Sequence, residues 1–306
     1  MAHHEFAPEV YHVTIGSHDP VLEVDPGDSV STTTVDARGR DESGEAITPR
    51  GNPQTGPFYL KGAEPGDTLV VTLEDLRPNR DWGFTGTRIA ANILDHGFVP
   101  VFKDSHDGEA IWDVNVDTWT ARLRTPKGPM SEIDLHLDPM VGCFGVAPPR
   151  GQAISTATSS THGGNMDYRG FRQGVKVYFP VAVEGGLFHI GDGHAVQGDG
   201  EIVGTGIEIS FAVRFTLDLL KGAEIGWPRA EDEDFIMTAG NARPLDQAVQ
   251  HASTEMLAYL QHGFGLDART AHIMMGQCVE YDVGNVYDPA YTMICKIRKQ
   301  ILNQLT

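Results

Sequence analysis

The chain has 306 residues, 40% of them hydrophobic and 21% charged, which is room for a large core in roughly two domains. Its 42 Asp and Glu against 23 Lys and Arg give a net charge of -19, which argues against nucleic acid or an anionic membrane surface as partner, because both need a basic face. That balance suits a cation site or a neutral small substrate, though high acidity is more often only a solubility feature.

The 35 Gly and 18 Pro imply many turns and short strands, so the first two thirds should be mainly β, in sandwich or barrel-like sheets. Asp25-Pro26-Gly27-Asp28 and Glu64-Pro65-Gly66-Asp67 each precede a β-branched run, SVSTTTVD and TLVVTLEDL. Pro followed by Gly at a turn centre favours type II, and the β-branched runs read as strands. Residues 111–137 alternate, with Trp112, Val114 and Val116 on one side. Residues 141–146 form a short apolar strand that Ala147-Pro148-Pro149 ends. The segment ISTATSSTHGGNMDYRG is too polar for a core and reads as a loop lining a site. VKVYFPVAV is the next strand, and residues 202–216 look like a further pair.

After Trp227 the texture changes. Residues 231–234 are an acidic loop. Pro244 opens a helix whose stripe is Leu245, Val249, Ala252, Met256 and Leu260, closed by Gly263. Asp267 caps a second helix that buries Ala271, Met274, Met275 and Cys278. Residues 291–297 read as a terminal strand. The expected division is an N-terminal β domain (1–140), a β domain with Gly-rich site loops (141–230) and a smaller C-terminal α+β part (231–306).

Cys143, Cys278 and Cys295 are too few and too widely spaced for a disulfide framework or a paired-cysteine zinc motif, which suits a reducing cytoplasm. The start MAHHEFAPEV lacks a basic region followed by an apolar run, and no stretch of ~20 apolar residues exists, so neither a secretory signal nor a membrane span is expected.

The chemistry concentrates in IGDGHAVQGDGEIVGTG, which sets Asp192, His194, Asp199 and Glu201 within ten residues and threads them with glycine. Three carboxylates beside an imidazole are costly unless something positive sits among them. A divalent cation bound through N and O fits that set; a solvated acidic turn is the plainer reading. HGGNMD supplies His162, Asn165 and Asp167, competent as ligands or proton carriers, though a loop of this kind can be structural. Asp36 ends a strand, where it can reach a central site or cap the next turn. Cys143 lies in an apolar run and reads as inert packing. No Gly-x-Ser-x-Gly elbow and no phosphate-cradling loop is present.

Taken together, MVGCFGVAP, HGGNMD, GDGHAVQGDGEIVGTGIE and NPQTGPFYLKGAEPGDTL, with Asn52, Gly56, Gly62 and Asp67 in place, resemble the acetamidase/formamidase family. The resemblance runs from the first Pro-Gly-Asp unit to YDPAYTMICKI. It implies a β-rich homodimer that hydrolyses small carboxamides to the carboxylate and ammonia with a divalent metal, zinc first and calcium as the alternative. It implies a pocket built from Asp36 and the two Gly-rich loops. On that basis Asp36, Asp192 and His194 are the expected metal ligands, Glu201 or Asp199 the proton carrier, and His162, Asn165 and Asp167 the substrate side. Two segments depart from the pattern. GQCVEYDVGNVYDP carries Cys278 and Glu280 where acetamidase-like members read closer to GDLR, and Asp81-Trp82-Gly83-Phe84-Thr85 looks more like the formamidase branch. The alternatives are a hydrolase of carbamates or of bulkier or cyclic amides using the same site, acyl transfer to Cys143, a non-catalytic metal- or carbohydrate-binding β module, or a scaffold with a degenerate site.

Overall fold

A computed structural model describes residues 1–98 and 109–305. The protein is mainly β, with a small helical part near the C-terminus, as the composition predicts. Among the described residues two large sheets carry the fold. A nine-stranded sheet runs in the order His3–Glu5, Asp28–Thr34, Phe211–Leu220, Thr68–Pro78, Lys176–Pro180, Arg229–Glu231, Phe235–Ala242, Tyr291–Arg298, Val279–Asn285. A seven-stranded sheet runs Ser159–Ser160, Gly163–Asn165, Met140–Gly145, Phe188–His194, Gln54–Leu60, Tyr11–His12, with Leu22–Val24 added in parallel to Gln54–Leu60. The nine-stranded sheet takes strands from all three segments expected as separate domains, so the sheets interleave them.

Strict alternation of burial along Asp28–Thr34 shows a strand with one face in the core. The inner faces of the two sheets meet through aromatic edges. Phe58 and Phe188 pack on Phe215 with ring centroids 5.2 and 5.3 Å apart, and Phe144 packs on Phe179 at 5.4 Å. Such pairs favour edge-to-face contact because ring edges are positive and ring faces negative. Both Pro-Gly turns close as expected. Asp28 N donates to Asp25 O and Asp67 N to Glu64 O, and Gly27 and Gly66 take φ of 87° and 95°, the left-handed value a type II turn needs.

Met140–Gly145 and Phe188–His194 are buried at every residue. One face of this pair meets the core. Residues 13, 51 and 156 cover the other face. Thr156 hydrogen-bonds to Val13 O and Gly51 O, and its own carbonyl accepts from Cys143 Sγ. A strand covered on both sides can therefore place polar groups away from water.

In the C-terminal part, α1 (Leu245–Phe264) and α2 (Ala268–Cys278) lie where the periodicity places them. Ala252, Met256 and Leu260 of α1 pack on Ile236, Cys295 and Ile297. Asp267 caps α2 by accepting from Thr270 N. Two expectations differ in detail. α1 runs past Gly263 and stops at Gly265, which takes the left-handed φ of 64° that ends a helix. Residues 202–216 do not form a pair of strands; one strand, Phe211–Leu220, follows a glycine-rich turn that carries site residues.

Candidate active site

The two fully buried strands align Met140 with His194, Val141 with Gly193 and Cys143 with Gly191. Gly142 lies between those pairs and forms the floor of the site. A Cβ there would sit 2.5 Å from Asp192 Oδ2, 3.1 Å from His194 Cε1 and closer still to Asp167 Oδ1. Only a hydrogen fits beneath these groups. Gly206 does the same under the His194 ring, where a Cβ would come 2.6 Å from Cγ.

Asp167, Asp192 and Glu201 adopt φ of 44°, 64° and 46°, and nearby Asn52 adopts 60°. L-residues with side chains rarely take this conformation, which costs on the order of 1–3 kcal/mol each unless the surroundings impose it. The strain aims these side chains inward, and all four are buried.

His194 is the hub. Its Nε2 lies 2.8 Å from Glu208 Oε1 and 3.4 Å from Asp192 Oδ1. Its Nδ1 lies 2.7 Å from Gln197 Oε1, and Gln197 Nε2 donates to Asp167 O at 2.5 Å. That second bond fixes the Gln197 amide with its oxygen toward the ring. Nδ1 is therefore the donor, and Nε2 faces the carboxylates. Two sets of ligand atoms converge within 4.8 Å, Asp167–His194–Glu201 and Asp192–His194–Glu208. In these sets Asp167 Oδ1 and Glu208 Oε2 are buried with no hydrogen-bond partner, beside His194 Nε2, whose contacts are carboxylates. Orphaned buried polar atoms are rare and costly, so their convergence here marks a place made for a bound group.

A carboxamide network backs the acids. Asn285 Nδ2 reaches Asp167 Oδ2 at 2.7 Å, Asp288 Oδ2 at 2.8 Å and Glu201 Oε2 at 3.1 Å. Gln54 donates to Asn52 Oδ1, Asn52 to Asn165 Oδ1, and Asn165 to Asp288 Oδ2 at 2.5 Å.

One imidazole thus stands among five carboxyl groups. Burial pushes Asp167 and Glu201 well above the usual carboxylate range, and neighbouring acids add to the effect. Burial likewise raises Asp288, and lifts Glu208 to about 7. Asp192 goes the other way. Burial opposes its ionisation, but the positive His194 beside it holds it below the usual range. Burial also opposes charge on His194, yet Glu208 and Asp192 together raise it well above a free imidazole. A cation bound here would replace protons that the site otherwise retains.

The structure brings together Asp167, Asp192, His194 and Glu201 from the residues expected on sequence, with Asn165 behind them. Asp36 stands apart from both ligand sets. Its Oδ1 accepts from Arg38 N and Arg40 N, and its Oδ2 pairs with buried Arg80 at 2.9 Å, so it serves the turn that follows its strand. Asp199 is exposed, 3.8 Å from Arg169, as a glycine-flanked turn residue often is. His162 is buried with neither ring nitrogen partnered, and burial lowers it to about 4. It belongs with His189, whose field it shares, rather than with the two ligand sets. Cys143 lies in the field of Asp192, Asp167 and Asp288, but burial first and those charges second push its thiol up. Glu208, Gln197, Asn285 and Asp288 were not singled out from sequence, although Glu208 ends the Gly-Thr-Gly-Ile-Glu run and Asn285 and Asp288 lie in the Asn-Val-Tyr-Asp-Pro run.

A β scaffold that buries five carboxyl groups around one imidazole defines a class of protein with a buried acidic centre that could hold a cation. More particularly, the chain belongs to the acetamidase/formamidase family, whose model matches residues 3–151 and 149–304. It is 30% identical over 220 residues to an acetamidase of Mycolicibacterium smegmatis, covering 55% of this chain and 53% of that one. It is similar along nearly its whole length to the solved structures of acetamidases from Yersinia enterocolitica (TM-score 0.82, 30% identity, 98% of this chain and 93% of that one) and Bacillus halodurans (TM-score 0.82, 26% identity, 98% and 99%). The curated relatives it matches are longer, and the chain covers between 51% and 61% of their length.

Proposed function

We propose that the protein hydrolyses a short linear carboxamide, of the formamide or acetamide type, to the carboxylate and ammonia with the help of a divalent cation. The observation that carries this reading is the convergence of two orphaned carboxyl oxygens, Asp167 Oδ1 and Glu208 Oε2, on His194 Nε2 inside one buried cluster. Membership of the family supports the amide as substrate. The donors are one imidazole nitrogen and several carboxylate oxygens, which fits zinc better than calcium, because calcium takes oxygen ligands. His194, Asp192 and Glu208 would hold the cation, with Gln197 fixing the ring. Bound there, a divalent cation polarises a carbonyl and acidifies water.

The chain's own residues do the rest. Amides resist attack because resonance weakens the carbonyl and the amine leaves poorly. Glu201, raised by burial, takes the proton that the attacking water loses and returns it to the departing nitrogen. Asp167 lies beside it and fixes the water. Burial excludes bulk solvent and strengthens each of these interactions.

In this reading the substrate is small and neutral, the protein works in a reducing cytoplasm, and it is a homodimer. The test is ammonia release from formamide, acetamide and a carbamate, by protein as purified and after chelator treatment with zinc or calcium restored. Ammonia lost on stripping and regained with one metal is the expected result. No ammonia under any metal would remove the simple-amide reading. Turnover of a carbamate alone would move the substrate while keeping the site. Metal that raises thermal stability without turnover would favour a binding module.

A further inference from the structure

The carboxamide of Asn285 touches three of the five acids, and nothing above gives it a task. Its orientation is fixed. Oδ1 accepts from Tyr287 N at 2.8 Å and Asp288 N at 3.0 Å, an Asx turn that leaves only Nδ2 facing inward. Asn285 is fully buried at the end of the edge strand Val279–Asn285, which bridges to Gly200, the residue before Glu201. The C-terminal α+β part therefore delivers this group, with Asp288, to a site whose other acids come from the middle of the chain.

Nδ2 has two hydrogens and three acceptors. Asp167 Oδ2 at 2.7 Å and Asp288 Oδ2 at 2.8 Å are the near ones, and Glu201 Oε2 at 3.1 Å is the far one. Two of the acids take the well-formed bonds and the third shares. Because Asp167 gives Oδ2 to Asn285, its other oxygen, Oδ1, is the one left orphaned toward the centre. We propose that Asn285 is a positioning residue whose Nδ2 divides the acids into roles, pinning Asp167 and Asp288 and leaving Glu201 the least restrained and hence free to carry a proton. The kinetic part of this inference rests on the amide-hydrolysing reading; the geometric part does not.

Asn285→Asp and Asn285→Ala separate the two faces of this side chain. Asn285→Asp keeps the oxygen that accepts from Tyr287 N and Asp288 N, and replaces the inward donor by an oxygen aimed at three carboxyl groups. Asn285→Ala removes both. A residue that only shaped the turn would tolerate Asp better than Ala. A residue that works through its donor will show the reverse order in the site. The expected result is that Asn285→Asp keeps the wild-type circular dichroism spectrum and lowers kcat at least ~50-fold with KM changed less than ~3-fold, more severely than Asn285→Ala. Zinc affinity of the chelator-stripped proteins, read by competition with a chromogenic chelator, should fall ~10–100-fold in Asn285→Ala, which loses the supporting donor without adding a charge, and should differ from wild type in Asn285→Asp.

Crystal structures of wild type and Asn285→Asp give a readout independent of turnover. The Asp167 and Glu201 carboxyl groups should move apart in the variant. Asn285→Asp with wild-type kcat, zinc affinity and acid positions would overturn the proposal. A wild-type protein that releases no ammonia would instead overturn the functional reading, while displaced acids in the variant would still uphold the role of Nδ2.

Discussion

Gly142→Ala tests the site with a single methyl group. The residue lies in a strand at ordinary backbone angles, so alanine should hold the strand better than glycine by roughly 0.5–1 kcal/mol. Against that, the methyl would lie 2.5 Å from Asp192 Oδ2 and nearer still to Asp167 Oδ1. Relief to the 3.4 Å of ordinary contact requires the Asp192 oxygen to retreat by about 0.9 Å. These are side-chain ends, so the energetic penalty stays within the ~1–3 kcal/mol of a mild overpacking. The net loss is at most about 2.5 kcal/mol, or a fall of no more than ~10 °C in melting temperature for a chain of this size. Function should suffer far more, because an error of ~1 Å in a reacting group costs about 100-fold. Calorimetry and ammonia release on the same preparations give both numbers. A Gly142→Ala protein that melts near the wild type and keeps kcat/KM within ~3-fold would refute the placement of the acids over this glycine.

Three further outcomes are expected. His194→Ala should lose bound metal and reduce ammonia release at least ~100-fold, checked by metal analysis beside the activity assay; a variant that kept both would sink the proposed centre. Burial, then His18, holds His189 down to about 3 against about 6.5 in an unfolded chain, so the folded protein binds fewer protons there between those values. Stability carried by neutral His189 is complete above pH 6.5 and drains as pH falls toward 3, by roughly 3 kcal/mol on reaching pH 4, so urea unfolding of His189→Gln should show a shallower acid limb than wild type. A thiol-alkylating reagent on the native protein should label half-buried Cys278 and spare Cys143, with ammonia release intact; inactivation that tracked Cys143 labelling would restore the acyl-transfer mechanism.

Much of the fold was legible because it rests on local chemistry. Pro-Gly turns announce themselves, alternation marks the strands, and the stripe from Leu245 to Leu260 can only be a helix. The helix end at Gly265 rather than Gly263 was not legible, since both glycines permit the stop and packing against the sheet selects between them. In the site, Asp192, His194 and Glu201 stand close in sequence and were visible as a cluster. Glu208 escaped because it enters through a glycine turn that looked like a strand. Asn285 and Asp288 escaped because they arrive from the far end of the chain, across a sheet whose pairing no local pattern encodes. Asp36 and Asp199 have the right chemistry for ligands, but Arg80 claims the charge of the first, and Arg169 and solvent surround the second, and neither arginine is adjacent in sequence.

The left-handed backbones of Asp167, Asp192 and Glu201 bear on how this protein can change over time. Each carries a side chain where glycine would sit without strain, and each buries an acid beside other acids. Replacing Asp167 or Glu201 by glycine relieves both burdens at once, so the mutational path that silences the site there runs downhill in folding energy, whereas Asp192 is held ionised by His194 and its loss breaks a buried pair. A library of variants screened for heat resistance alone should collect glycine at positions 167 and 201, and only a screen for turnover would keep those acids in place.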